Sequence, residues 1–349
     1  MKTSVSKRAS RLGASLSLGL VLLSAMASSV SAQTVTTTPV GAVTNTISVG
    51  LNNLGVSVLN ANLLTSACSS NTASTVTLSG SSNVGALLTA GQPYYLEVTA
   101  GDASIVGDRF DVDTTATITS ANGVVTLNTA SVNNTSALTT NVASGATFAL
   151  RKHITLAQLQ SFFSTALVGN NTAANADQVW FYNAATDSFS VYYLRADLVN
   201  WRLSGSATNV SNTVIAPGVG VLFRKVTSGA TLVAVGGVRT NNFALPLTPG
   251  LKFVASGYPV DASPSAVGGT AALGWTGNNV AGNADQLQVY NPTTDAFVSY
   301  YLRADGTTWR QVGTTTAVTT SSILGFNSAY MIKRNAADAS YAVISPVAP

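Results

Sequence analysis

The chain has 349 residues, with 17 basic against 13 acidic side chains, one histidine and one cysteine. Only 9% of residues are charged and 46% are hydrophobic, while β-branched and aromatic residues recur along the whole length, which excludes a disordered chain. A lone cysteine excludes an internal disulfide framework.

Residues 1–32 read as a secretory signal. Lys2, Lys7, Arg8 and Arg11 precede the apolar run Leu12–Ser28, and Val30-Ser31-Ala32 supplies a small-x-small cleavage site before Gln33. The apolar run is too short and too broken by Ser and Gly to be a good membrane span, so the expectation is an exported chain with no integral membrane segment. Its destination is the periplasm, the cell surface or the medium. Four basic residues leave with the signal, leaving 13 of each sign. No basic surface then remains to bind nucleic acid. No cysteine follows the cleavage site, which argues against a lipid anchor. Cys68 reads as a buried, inert thiol, with an intermolecular bridge as the alternative.

Residues 33–65 hold alternating Val, Thr and Ile broken at Gly and Asn, the pattern of short strands. Their phrase Val40-Gly41-x-Val43 returns at Val235–Val238, and Gly50-Leu51 returns at Gly250-Leu251. Residues 66–152 are expected to be an insertion forming a small β-barrel or sandwich. Its predicted strands are Thr75–Ser79, Tyr94–Thr99, Arg109–Thr114, Ala116–Thr119, Val124–Asn128 and Thr147–Arg151. One short helix follows, opened by the capping box Thr155–Gln158 with Leu156, Leu159 and Phe163 on one face.

Residues 153–234 centre on Asn175–Gly205, which returns as Asn283–Gly313 at a constant offset of 108 with 18 identities in 31 positions. Within each block the pattern predicts a β-meander. Gln178–Asn183 is a strand, and Ala184–Asp187 a turn matched by Pro292–Asp295. Phe189–Arg195 is a second strand, with Phe189, Val191 and Tyr193 on one face and Tyr192 and Leu194 on the other. After a turn at Ala196–Asn200, a third strand starts at Trp201. Gly306 in the second block suits a positive φ. Two further hairpins are expected, Gly220–Val226 with Thr231–Val235 and Ala329–Arg334 with Tyr341–Ile344. The predicted fold is mainly β: two related antiparallel meander units, the first carrying the inserted β domain, the second filling residues 235–349.

Candidate chemistry is sparse. His153 stands alone, with no second histidine to build a transition-metal site. The repeated aspartates Asp177, Asp187, Asp197, Asp285, Asp295 and Asp305 could form a glycosidase pair. They sit, however, at turn and strand starts where an Asp bonds its own backbone, and Arg195, Arg202, Arg303 and Arg310 are available partners. Calcium is the alternative ligand, at these aspartates or at Asp102, Asp108, Asp111 and Asp113; otherwise no cofactor is expected. Trp180, Trp275, Tyr192 and Tyr300 are the candidate platforms for sugar rings. Trp180 and Trp275 lead because the other block replaces them with Gln288 and Leu167.

An ordered series of short motifs runs through Pro39-Val40-Gly41, Tyr94–Thr99, Gly145–Lys152, Thr155-Leu156, Ala176-Asp177, Tyr193 and Trp201. It continues through Gly236-Gly237-Val238, Ala284-Asp285, Tyr301 and Trp309-Arg310. This series resembles an uncharacterised family of secreted proteins that occur as many paralogues in Verrucomicrobia-type bacteria. The resemblance implies export and a shared β-rich fold, and no catalytic residue. The expected function is a non-catalytic secreted or cell-surface protein with a structural or adhesive role, self-associating or holding a surface polysaccharide. An extracellular glycan-binding module is the alternative, and a carbohydrate-active hydrolase the third reading.

Overall fold

The computed structural model describes residues 39–80, 83–120, 123–246, 250–291, 294, 296–335 and 340–343. The signal expected at 1–32, and Pro292 and Asp295 of the second expected turn, lie outside them. The fold is mainly β, and all its sheets are antiparallel.

Two five-stranded sheets form the frame. The first runs in the order Trp201–Leu203, Ser188–Leu194, Gln178–Asn183, Gly220–Lys225, Gly50–Gly55. The second runs Trp309–Gln311, Ala296–Leu302, Gln286–Asn291, Ala329–Arg334, Gly250–Ala255. Register matches as well as order, since Gln178 opposes Tyr193 and Gln286 opposes Tyr301. Side chains alternate across each sheet, so one face collects the apolar residues. Val179, Leu194, Trp201, Val221 and Phe223 are buried in the first core. Leu287, Leu302, Trp309, Tyr330 and Ile332 are buried in the second.

Neither expected downstream hairpin forms. Gly220–Lys225 pairs with Gln178–Asn183 and Gly50–Gly55, while Ala230–Gly237 leaves to pair with Val40–Ile47. Ala329–Arg334 likewise stays in its sheet, and Ser340–Val343 pairs with Phe243–Pro246. Adjacency in sequence does not decide pairing: Gly220–Lys225 finds six partners in Gly50–Gly55, and Ala230–Gly237 finds eight in Val40–Ile47. The phrases at Val40 and Val235 are therefore partners in one ladder, with Val40 opposite Gly237 and Ala42 opposite Val235.

The two sheets meet where side chains are smallest. A Cβ at Gly220 would lie 2.6 Å from the Ala329 methyl and 2.8 Å from the Val254 carbonyl oxygen, and one at Gly55 would strike the Ala255 methyl. Backbone bonds stitch the joint, with Gly55 N donating to Asn327 O at 2.7 Å and Ala255 N to Gly218 O at 2.9 Å.

Between the first strands and the first meander, six strands curl into a half-barrel around its own core. The order is Arg109–Asp111, Tyr94–Ala100, Thr147–Lys152, Asn62–Asn71, Thr75–Leu78, Val124–Thr126. Its edge strands touch through one bridge, Val112 to Leu127. The expected strand at Ala116–Thr119 is instead part of a helix, Thr114–Ile118. Asp113 caps it by accepting from Ala116 N at 3.0 Å, which overrides the β preference of a threonine-rich run. The expected helix does form, as Leu156–Ser161 with Thr155 as its cap.

A buried polar layer joins the half-barrel to the rest. Glu97 pairs with Arg239, whose guanidinium lies 4.5 Å above the Phe243 ring centre. His153 Nε2 meets Asp111 Oδ1 at 2.7 Å while the ring packs 4.5 Å from Tyr95.

One turn differs between the blocks. Gly306 takes φ 72°, as its sequence suggests, whereas Leu198, at the matching position, is held at φ 57°. A left-handed residue with a Cβ costs about 1–2 kcal/mol, and glycine returns part of that through a freer unfolded chain. Leu198→Gly is therefore expected to stabilise the protein by roughly 1 kcal/mol, read as a higher urea midpoint with unchanged slope.

Candidate ligand-binding face

The repeated aspartates come first, because their surroundings decide what chemistry is left. Asp177 is fully buried just ahead of the first meander strand. Its Oδ2 accepts from Lys225 Nζ at 2.7 Å and Val168 N at 2.8 Å, and its Oδ1 accepts from Val226 N at 2.9 Å. Asp285 has the same cage, with Thr276 N at 2.8 Å, Asn335 N at 2.7 Å and Arg334 Nε at 3.0 Å. Both carboxylates thus tie the meander to the strand that flanks it. The cations are Lys225 and Arg334, not the arginines that the repeat suggested. Arg195 and Arg303 instead hold Asn171 and Asn279, each through Nη2 at 2.8 Å.

Asp197 and Asp305 close turns. Asp197 accepts from Asn200 and Val199, and its hydrogen bonds, that from the Asn200 side chain first, hold its carboxyl down to about 2. The backbone N–H of Thr308, then that of Thr307, does the same for Asp305, also to about 2. Asp187 sits at φ 47° and accepts from the Tyr182 hydroxyl.

The calcium alternative finds its carboxylates dispersed. Asp102 accepts from Ser104 N, Asp108 from Thr135 and Ser136, Asp111 from Ser131 and Asn133, and Asp113 caps a helix. Among the described residues, no three acidic, His or Cys side chains group as a metal site.

Among the platform candidates, the structure separates Trp180 from the others. Trp275 is 3% exposed and stacks edge-on against Trp309 at 5.3 Å, with Arg334 over its ring, so it offers no face to a ligand. Leu167 is buried at the matching place in the first core. A difference between the blocks therefore marked a repacked core there. Tyr192 and Tyr300 lie on the inner faces of their sheets, half-buried against the cores.

Trp180 points the other way. It is half-buried on the outer face of the first sheet, its Nε1 donating to Gln178 Oε1 at 2.6 Å and its ring 6.0 Å from Phe189. Register places Leu222 and Val191 beside it. Tyr182 and Phe189 form the next row, and Phe189 reaches Phe253 of the second sheet at 6.2 Å. Sequence reading missed Phe189 and Phe253 as neighbours, since only the joint at Gly55 and Gly220 brings the outer faces together.

An open hollow of about 400 Å³ beside the half-barrel is lined by Phe110, Leu127, Asn134, Ser136 and Leu138, among others, with no charged side chain. Cys68 is buried, and burial pushes its thiol up from the usual range. No helix among the described residues is long and apolar enough to cross a membrane.

No protein family, curated protein or solved structure matches the chain.

Removing one partner from a buried ion pair strands the other charge. Asp177→Asn and Asp285→Asn should each cost about 3–5 kcal/mol in equilibrium unfolding. Adding Lys225→Gln to Asp177→Asn should cost less than the two single losses combined. Desolvation, then the bond to Asp187, pushes the Tyr182 hydroxyl up to about 12. The neutral phenol is the form that folding favours, so its contribution is complete below pH 10 and fades as pH rises through that higher value. Ultraviolet titration should show this late ionisation, and Asp187→Asn should bring it earlier.

Proposed function

We propose that this is a secreted or cell-surface protein without catalytic activity, serving a structural or adhesive role. In this reading the two meander units descend from one duplicated unit, and residues kept in both maintain shape. The observation that carries it is the matched pair of carboxylate cages. Asp177 and Asp285 spend both oxygens on backbone N–H groups and a buried cation and are sealed from solvent, which suits a frame and leaves no carboxylate surface for a substrate to reach. Membership of the secreted, paralogue-rich family suggested by the motif series agrees with this role.

A glycan-binding module is the second reading, favoured by one feature. The outer-face row of Trp180, Tyr182 and Phe189 sets half-exposed, mutually inclined rings side by side, an arrangement that offers aromatic faces and edges to a sugar ring.

Both readings meet one experiment, in which purified protein is incubated with envelope preparations and arrayed polysaccharides. Retention without release of soluble sugars is expected. Trp180→Ala should weaken polysaccharide retention at least about tenfold, about 1.4 kcal/mol, with the melting temperature unchanged. Retention insensitive to Trp180→Ala would favour adhesion through another surface. Catalytic release of sugars would overturn the non-catalytic reading.

A further inference from the structure

We infer that the Val40–Ile47 strand is a pairing edge for a second copy of this chain, added antiparallel across a two-fold axis. The inference rests on the scaffold reading for its purpose, and on the strand's own geometry for its occurrence. Val40–Ile47 pairs with Ala230–Gly237 over eight consecutive positions without a register shift. The far side of Ala230–Gly237 is occupied. Leu59 and Gly237 exchange backbone bonds at 2.9 and 2.8 Å, Ser164 N donates to Thr231 O at 2.9 Å, and Val233 N donates to Phe162 O at 2.6 Å. On the far side of Val40–Ile47, no described residue bonds the outward N–H and C=O groups. An unpaired strand edge of this kind is a template for another strand.

The outer strands of the three larger sheets are blunted. Trp201–Leu203, Trp309–Gln311, Arg109–Asp111 and Val124–Thr126 are three residues long. Gly250–Ala255 carries Lys252 and ends on Gly218 O. Gly50–Gly55 ends on Asn327 O, and Asn52 turns its amide onto the Ser48 and Gly50 carbonyls.

The closest internal comparison is the other two-stranded ribbon. Its Phe243–Pro246 strand holds the place of Val40–Ile47, running ahead of Gly250–Ala255 and pairing with the strand that follows Ala329–Arg334. There the half-barrel occupies the edge. Ala244 N donates to Gly107 O at 3.0 Å, and Arg109 Nη1 donates to Ala244 O at 3.1 Å. One ribbon is thus closed by the half-barrel, and its counterpart stays open among the described residues.

The occupant follows from charge. Val40–Ile47 reads VGAVTNTI, with no charge and no proline. Self-pairing sets uncharged residues opposite one another and juxtaposes no like charges, and a two-fold axis closes the assembly at two copies. A charged strand from elsewhere would meet no counter-charge.

Sedimentation of the purified protein over a range of concentrations tests this. A monomer–dimer equilibrium is expected, with amides in Val40–Ile47 exchanging more slowly as concentration rises. Thr44→Lys brings two ammonium groups close to the axis from an exposed position, and should weaken the dimer at least about tenfold. Ala42→Lys, also exposed, should act alike and guards against one variant misfolding. Val235→Lys lies on the same ribbon face but on the inner strand, and should leave the dimer intact. A monomer at every concentration would overturn the pairing, as would a dimer indifferent to Thr44→Lys and Ala42→Lys or equally sensitive to Val235→Lys. A monomer that still holds polysaccharide sinks the pairing alone. A dimer that releases sugars sinks only the non-catalytic reading.

Discussion

The buried carboxylate at the head of each meander is the constraint on which both sheets depend. Asp177 and Asp285 each gather two backbone N–H groups and one cation from outside the meander. A carboxylate sealed from water is tolerated only when donors and a counter-charge meet its oxygens. The need reaches outward: the chain must bring the loop before the meander and the strand after it to one point. That requirement acts together with the buried Val221, Phe223, Tyr330 and Ile332 to set which strand lies beside Gln178–Asn183 and which beside Gln286–Asn291.

Indole placement follows from the same closure. Trp201 lies under the short helix and donates from Nε1 to Gln160 Oε1 at 3.0 Å. Trp309 has no such helix above it and donates to the Gly269 carbonyl instead. Two solutions to one buried N–H explain why a helix stands over the first core, and a glycine turn over the second. A Cβ at Gly269 would come within 3.0 Å of the Trp309 Nε1.

Much of the local structure was legible in the sequence. The strands Gln178–Asn183 and Ser188–Leu194 and the start at Trp201 agree closely with the expected meander, because period-two alternation and turn residues are local signals. What lay between distant segments was not legible. The hairpin expected after Gly220 failed because adjacency in sequence says nothing of competing ladders. Lys225 and Arg334 escaped notice because they match at an offset of 109, one residue out of step with the blocks, and only by charge class. The Thr114–Ile118 helix was hidden by its threonines, and a single capping aspartate reversed their preference. For the platform residues, sequence marked Trp180 and Trp275 as equals, and only burial could separate an outer-face ring from a core one.

The joint between the sheets has a further consequence. Gly55 and Gly220 on one side abut Ala255 and Ala329 on the other, each facing the residue in its own structural position. The gap admits one methyl group per contact. Two identical halves would either collide through paired methyls or leave a void between paired hydrogens. The two sheets fit as lock and key, and a joint built from either one twice over would lose that fit.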